Sequence, residues 1–158
     1  MIPLRRLTAD DRPRLRQFWI EHWGDEMMIA HGEVFYPNQL DGFVVERGSD
    51  WLGLITFVIR EHAMEITSLD SLSQRRGVGT ALMDKAIDEA RRQNCQRVFL
   101  TTTNDNLYAL GFYQRRGFEL CALHRGAVNE SRKAKPSIPV IGMNRVPLRD
   151  EIELELKL

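Results

Sequence analysis

The sequence predicts an α+β fold, built on one mixed, mostly antiparallel sheet of about seven strands flanked by helices. Three strand-like segments at 42–48, 51–61 and 63–72 are joined by very short connections, which is typical of antiparallel neighbours. A helical pattern at 77–94 then leads to a β-branched segment at 97–103, and one such crossover implies that strands 63–72 and 97–103 run parallel. The length of 158 residues fits a single domain, 1–158.

The elements before the first hairpin are less regular. Residues 2–7 are predicted as a short strand, and Thr8 or Asp10 can cap a helix that ends at Gly24. Residues 25–40 show no clear period, and a short helix is expected at 25–31.

The second half of the chain continues the alternation of helices and strands. A helix is predicted at 106–116 with Gly117 after its last turn, followed by strands at 118–128 and 151–158, the last with strict apolar–polar alternation. The segment 129–150 between these strands is too long for a hairpin turn and is interpreted as an insertion. Three interpretations of this insertion stay open: a lid over an acceptor site, a solvated arm or a dimer contact. Its basic residues suit an anionic acceptor or an adenosine phosphate.

Composition limits the class of protein. Lysine plus arginine equals aspartate plus glutamate at 22 each, which argues against a dedicated nucleic-acid or membrane-surface protein. Cys95 and Cys121 are expected to be buried free thiols, as in a reducing cytosol. The N-terminal residues lack the apolar region of a secretory signal, and no apolar run reaches the roughly 20 residues of a membrane span. A cytoplasmic location is therefore expected.

The segment QRRGVG at 74–79 joins a predicted strand to a predicted helix. The first turn of that helix has no acidic residue, and glycine lacks a Cβ, so a ligand can approach the free N–H groups closely. With the positive end of the helix and two arginines beside it, this segment predicts an anion site. Neither the dinucleotide fingerprint, which needs a third glycine where Leu82 stands, nor the P-loop motif is present.

QRRGVG resembles the pyrophosphate loop Q/R-x-x-G-x-G/A of the GNAT superfamily, the acyl-CoA-dependent N-acyltransferases. Residues 106–118, NLYALGFYQRRGF, resemble the second motif of that family, N-x-x-A-x-x-x-Y-x-x-x-G-F, one strand and one helix later. The resemblance covers residues 2–128 and the last strand. It implies the GNAT fold, in which the central parallel strands splay apart to admit CoA.

The resemblance implies an acetyl-CoA-dependent N-acetyltransferase that moves an acetyl group directly to a primary amine of a small molecule or peptide. A catalytically silent acyl-CoA sensor or an interaction domain is the alternative, and the presence of Tyr113 and Asn106 favours the enzyme. A monomer or homodimer without nucleic-acid or membrane partners is expected.

The resemblance also implies the residues of the site. The backbone N–H near Leu69 would stabilise the oxyanion, and the Tyr113 phenol, with an ordinary pKa of about 10, would protonate the leaving thiolate. The positions implied to hold CoA are Leu69, Asp70, Ser71, Gln74, Arg75, Arg76, Gly77, Val78, Gly79, Thr80, Asn106 and Tyr113.

The base and the acceptor pocket are less defined. Glu65 is the candidate base, acting through water, although a solvent-facing strand residue is an equal interpretation; Asp70, a histidine or water alone stay open. The residues expected to line the acceptor pocket are Trp23, Met27, His31 and Glu33, which equally suit core packing. No metal site is expected from four scattered histidines.

Overall fold

The computed structural model describes residues 2–72 and 77–158. Its elements, in chain order, are β1 (Leu4–Arg6), α1 (Arg12–Trp23), β2 (Met28–Ala30), β3 (Glu33–Phe35), β4 (Asp41–Arg47), β5 (Asp50–Arg60), β6 (Ala63–Ser71), α2 (Val78–Arg92), β7 (Arg97–Thr103), α3 (Leu107–Arg115), β8 (Glu119–His124), α4 (Ala127–Ala134) and β9 (Glu151–Lys157).

Seven strands form one sheet in the order β1-β4-β5-β6-β7-β9-β8. The β6–β7 pair is parallel, and the other neighbouring pairs are antiparallel. The predicted α+β class, the mixed sheet and its central parallel pair are therefore confirmed.

The parallel pair separates partway along its length. Residues Ala63–Ile66 of β6 pair with Arg97–Leu100 of β7, but β6 continues to Ser71 and β7 to Thr103 without further pairing to each other. The two strands remain held on their outer sides, β6 by β5 and β7 by β9. The predicted splay is confirmed, and it opens a gap in the middle of the sheet.

Apolar clusters cover both faces of the sheet. On one face, α2 buries Val78, Leu82 and Ala86, which recur at helical spacing, against β4–β7. On the other face, α1 buries Trp19 completely in a cluster that includes Phe35. Among the described residues, the helices are too short or too polar to cross a membrane.

The expected short helix at 25–31 is wrong, because β2 and β3 form a hairpin there. His31 and Gly32 turn the chain with φ values of 43° and 80°, the left-handed region that ends a helix. The hairpin buries Phe35, which explains why apolar residues in this segment lack a helical period.

The strand expected at 118–128 ends early. β8 stops at His124, and Gly126, with φ of 75°, precedes α4, which the sequence analysis did not predict. Cys121 is exposed rather than buried, because β8 is an edge strand whose side chains mostly face solvent. Cys95 is buried, as expected.

Side chains of α4 and of the residues just beyond β7 hold the segment 135–149, among them Asn104, whose amide donates to the Pro147 carbonyl at 2.8 Å. The Arg132 guanidinium donates to the carbonyls of Ile138, Pro139 and Leu148 at 2.7–3.0 Å. Asp105, just beyond β7, accepts the Met143 N–H at 2.8 Å. The segment is therefore packed against the end of the sheet and is not a solvated arm.

Gly142→Ala tests this attachment. An added Cβ would lie 2.1 Å from Asp105 Oδ2 and 2.7 Å from its Cγ, and Asp105 is buried and bonded to Thr103 and Met143. We expect faster hydrogen exchange across 135–149 with unchanged protection of the central strands. Ser137→Ala in the same segment is the control, and wild-type protection in Gly142→Ala would contradict the attachment.

Candidate active site

A cavity of about 590 Å³ lies where β6 ends, between the start of α2 and one face of α3. Its lining brings together residues that are distant in sequence: Trp23, Leu69, Asp70, Ser71, Gly77, Gly79, Thr80, Asn106, Tyr108, Ala109, Phe112, Tyr113 and Met143. Eight of the twelve positions implied to hold CoA line this cavity. Gln74, Arg75 and Arg76 lie outside the described residues, and the Val78 side chain is buried in the core.

The Leu69 backbone faces the gap between β6 and β7. The Leu72 N–H donates to the Leu52 carbonyl at 2.8 Å, and the register places Leu69 opposite Ile55. Hydrogen-bonded and non-bonded pairs alternate in an antiparallel ladder, so the Leu69–Ile55 pair is a non-bonded one. The Leu69 N–H therefore points away from β5, into the gap.

The start of α2 offers backbone donors to the same cavity. Gly77 precedes the helix with φ of +97°, and within residues 77–158 the first helical hydrogen bond runs from the Ala81 N–H to the Gly77 carbonyl at 2.8 Å. The N–H groups of Val78, Gly79 and Thr80 come before that bond, and the first turn holds no acidic residue. This arrangement suits an anion.

Asn106 begins α3. Its Oδ1 accepts the Ala109 N–H at 3.1 Å, which caps the helix, while the residue also lines the cavity. The predicted contact of Asn106 with the cofactor stays a prediction, and its amide nitrogen is available as a donor while the oxygen caps α3.

Tyr113 is buried, 9% exposed, which its sequence neighbours did not indicate. Its ring packs at 5.4 Å from Phe112 and 5.7 Å from Phe118, and the residue lines the cavity. Burial, and then the charge of Asp70, raise the pKa of the phenol well above its ordinary value. Tyr113 is therefore a neutral proton donor at physiological pH.

Asp70 is the carboxyl group of this cavity. Burial raises the pKa of Asp70 to about 6, although the Trp23 side chain and His22 act in the opposite direction. Its Oδ2 is buried without a hydrogen-bond partner in residues 2–72 and 77–158. The sequence placed Asp70 beside Leu69 but gave no signal of this environment.

Glu65 lies elsewhere, in a cavity of about 480 Å³ with Val58, Arg60 and Phe99. It is 2% exposed, so the solvent-facing interpretation is wrong. Its Oε2 lies 2.6 Å from His31 Nε2, and Oε1 lies 3.5 Å from the Arg60 guanidinium. Burial raises the pKa of Glu65, and the His31 bond opposes that shift.

Two of the expected acceptor residues belong to this second group. His31, Glu33 and Glu65 offer ligand atoms within 4.8 Å of one another, a cluster that the sequence did not predict. The Arg60 guanidinium donates to both oxygens of Glu33 at 2.7 and 2.9 Å, so a cation already faces these carboxylates. Met27, another residue expected in the acceptor pocket, is absent from the linings of the three cavities named in this section. Its backbone carbonyl accepts a hydrogen bond from Lys135 Nζ at 3.3 Å.

A further cavity of about 560 Å³ adjoins the first, and Trp23 and Met143 line both. Its walls come from β2, α4, the segment 135–149 and Glu151 at the start of β9. Most of the lining is apolar, from residues that include Met28, Ile29, Val128, Ile138, Ile141 and Leu148.

Comparison with known proteins agrees with this arrangement. The profile of the acetyltransferase (GNAT) family matches residues 4–118. The chain belongs to this family. YxbD from Bacillus subtilis is 42% identical over 142 residues, which cover 89% of each chain.

Solved structures share the fold of this GNAT protein. The IAA acetyltransferase from Bacillus cereus superposes with a TM-score of 0.79 at 21% identity, covering 100% of both chains. A GNAT family acetyltransferase from Elizabethkingia anophelis, solved with acetyl-CoA bound, superposes with a TM-score of 0.74 at 17% identity, covering 99% of this chain and 98% of the other.

Substitutions at Gly79 test the anion site at the start of α2. An added Cβ there would lie 3.7 Å from the Phe112 ring, an ordinary contact, whereas Gly77 has a φ that disfavours any side chain. We expect Gly79→Asp to weaken CoA binding about a hundredfold by charge repulsion, and Gly79→Ala by less than about tenfold. Isothermal titration calorimetry with CoA compares the two, and equal affinities would contradict the site.

Proposed function

We propose that this protein is an acetyl-CoA-dependent N-acetyltransferase that transfers an acetyl group directly to a primary amine of a small molecule or peptide. The observation that carries the proposal is the convergence, in one cavity, of the Leu69 backbone, the start of α2, Tyr113 and Asp70. The family relationship supports the reaction class.

The cavity suits acetyl-CoA on two grounds. The N–H groups at the start of α2 and the absence of acidic residues in its first turn match a diphosphate. The splayed edges of β6 and β7 leave main-chain groups that can bond an extended amide-bearing arm such as pantetheine. Bound acetyl-CoA would supply an activated acetyl group with a thiolate as leaving group.

Two groups of this chain would act on the thioester. The Leu69 N–H would donate to the carbonyl oxygen on which negative charge develops, in the manner of an oxyanion hole. The Tyr113 hydroxyl would protonate the departing sulfur, because a phenol with a raised pKa stays protonated at neutral pH.

Asp70 would accept the proton from the amine. An alkylammonium has a pKa of about 10.4 and must lose a proton before it attacks. A carboxylate with a pKa of about 6 is a stronger base than an ordinary aspartate, and Asp70 lines the cavity that holds Tyr113. Glu65, the base expected from the sequence, lies in a different cavity, so we assign this role to Asp70 instead.

Direct transfer is supported by where the thiols lie. Cys95 is buried in the core cluster, Cys121 is exposed on β8, and neither lines the cavity. A covalent acyl-cysteine step therefore has no residue placed for it in the described part of the chain.

Tyr113→Phe tests the acid and the reaction together. We expect wild-type protein to release thiol from acetyl-CoA with at least one member of a primary-amine panel, and the variant to do so about a hundredfold more slowly with unchanged CoA affinity. Tyr36→Phe, at an exposed position that does not line this cavity, is the control. If wild-type protein binds acetyl-CoA but no amine in the panel causes thiol release, the proposed enzymatic function is overturned. If Tyr113→Phe releases thiol at the wild-type rate, Tyr113 is not the acid.

Asp70→Asn tests the base. Because the carboxylate must be ionised to accept a proton, wild-type kcat should fall about tenfold for each pH unit below about 6. The variant should be about a hundredfold slower above that pH and should lose this acidic limb. Asp88→Asn, on the exposed side of α2, is the control. A variant with the wild-type pH profile would exclude Asp70.

A further inference from the structure

The cavity that adjoins the proposed catalytic site contains a buried carboxyl oxygen without a partner. Glu151 is 4% exposed and lines this cavity. Its Oε2 accepts the backbone N–H of His31 at 3.1 Å. Its Oε1 is buried and has no hydrogen-bond partner within residues 2–72 and 77–158. A buried acceptor left in this state is costly, so the site suits a ligand that brings its own donor.

The other acidic group of the cavity is already satisfied. Asp105 accepts the Thr103 hydroxyl with Oδ1 and the Met143 N–H with Oδ2. Glu151 is therefore the carboxylate of this cavity that remains open to a ligand.

Four of the five basic residues in 129–150 are engaged with other groups, and the fifth, Arg145, does not line the cavity, which argues against an anionic acceptor. Arg132 donates to three carbonyls, Lys133 pairs with Glu130 at 3.0 Å and Arg149 with Asp150 at 3.2 Å. Lys135 lines the cavity with Nζ bonded to the Met27 carbonyl, and burial lowers its pKa. The anionic acceptor anticipated from the composition of 129–150 is thus not favoured.

The two cavities meet at Trp23 and Met143. An acceptor that lies across this junction would present one end to Asp70 and Tyr113 and the other to Glu151. Its middle would contact the apolar walls, where side chains such as Ile29, Ile138 and Leu148 lie. An ammonium at the far end would donate to Glu151 Oε1 in a charge-assisted hydrogen bond.

We propose that Glu151 binds a second cationic nitrogen of the acceptor, so that the enzyme acts on amines with two basic nitrogens separated by an apolar spacer. This inference rests on the proposed function and specifies its acceptor class. The second nitrogen is not acetylated; it orients the molecule so that the other amine reaches Asp70.

The test compares diamines with monoamines of the same length. Hexamethylenediamine is matched by heptylamine, cadaverine by hexylamine and putrescine by pentylamine, each monoamine replacing one amine by a methyl. With wild-type protein we expect kcat/KM for the best diamine to exceed that of its monoamine by about tenfold or more. Equal use of the two, or preference for the monoamine, would overturn the proposal.

Glu151→Gln connects the preference to this residue. The amide keeps the shape and an oxygen for the His31 N–H but loses the negative charge. We expect it to abolish the diamine preference through KM, with monoamine turnover and CoA affinity within about twofold of wild type. Glu130→Gln, on the exposed side of α4, is the control. Equal losses for diamine and monoamine would mean that Glu151 has only a structural role.

Calorimetry separates this proposal from the reaction itself. If the protein releases no thiol from acetyl-CoA with any amine, the proposed function fails. The acceptor site is then judged by the binding of diamines and monoamines to CoA-saturated protein. The diamine that binds wild-type protein most tightly must bind more tightly than its matched monoamine, and Glu151→Gln must remove this difference in affinity. No detectable diamine binding in that experiment would overturn the acceptor site.

Discussion

The separation of β6 from β7 is the constraint on which the rest of the molecule depends. Beyond Ile66 and Leu100 the two strands no longer pair, so their facing N–H and C=O groups need other partners. A buried backbone group without one costs about 1–3 kcal/mol, which a sheet avoids unless a ligand or solvent can reach the gap. β5 and β9 hold the two strands from outside, so the gap is a fixed feature of the sheet.

The elements around the gap supply the chemistry in a fixed arrangement. α2 begins where β6 ends and directs its first N–H groups to the cavity, and α3, capped by Asn106, begins just beyond β7. Burial acts on both titratable groups there. It keeps the Tyr113 phenol protonated, and it raises the pKa of Asp70 to about 6, which suits the proposed role of this residue as a base near neutral pH. One shared environment would thus produce both the proposed proton donor and the proposed proton acceptor.

The proposed acceptor site is built mostly by parts of the chain that lie outside the seven-stranded sheet. The β2–β3 hairpin, α4 and the segment after it enclose the second cavity, and Asp105 and Arg132 hold that segment in place. The cavity meets the proposed catalytic one at Trp23 and Met143, so under the proposed function the acceptor would be selected beside the reacting centre but by different residues.

The sequence by itself determined what depends on neighbours along the chain. Helical and strand periods predicted strands β4 to β7, the helix between β6 and β7 and their parallel pairing, and the QRRGVG and NLYALGFYQRRGF motifs predicted a cofactor site, because each pattern depends on residues close together in the sequence. Only the tertiary structure decided burial. The His31 backbone N–H donates to Glu151, which lies 120 residues away in the sequence. Burial raises the pKa of Asp70, and Cys121 is exposed because it lies on an edge strand. Burial depends on contacts between segments that are distant in the sequence, and a local sequence pattern carries no information about those contacts.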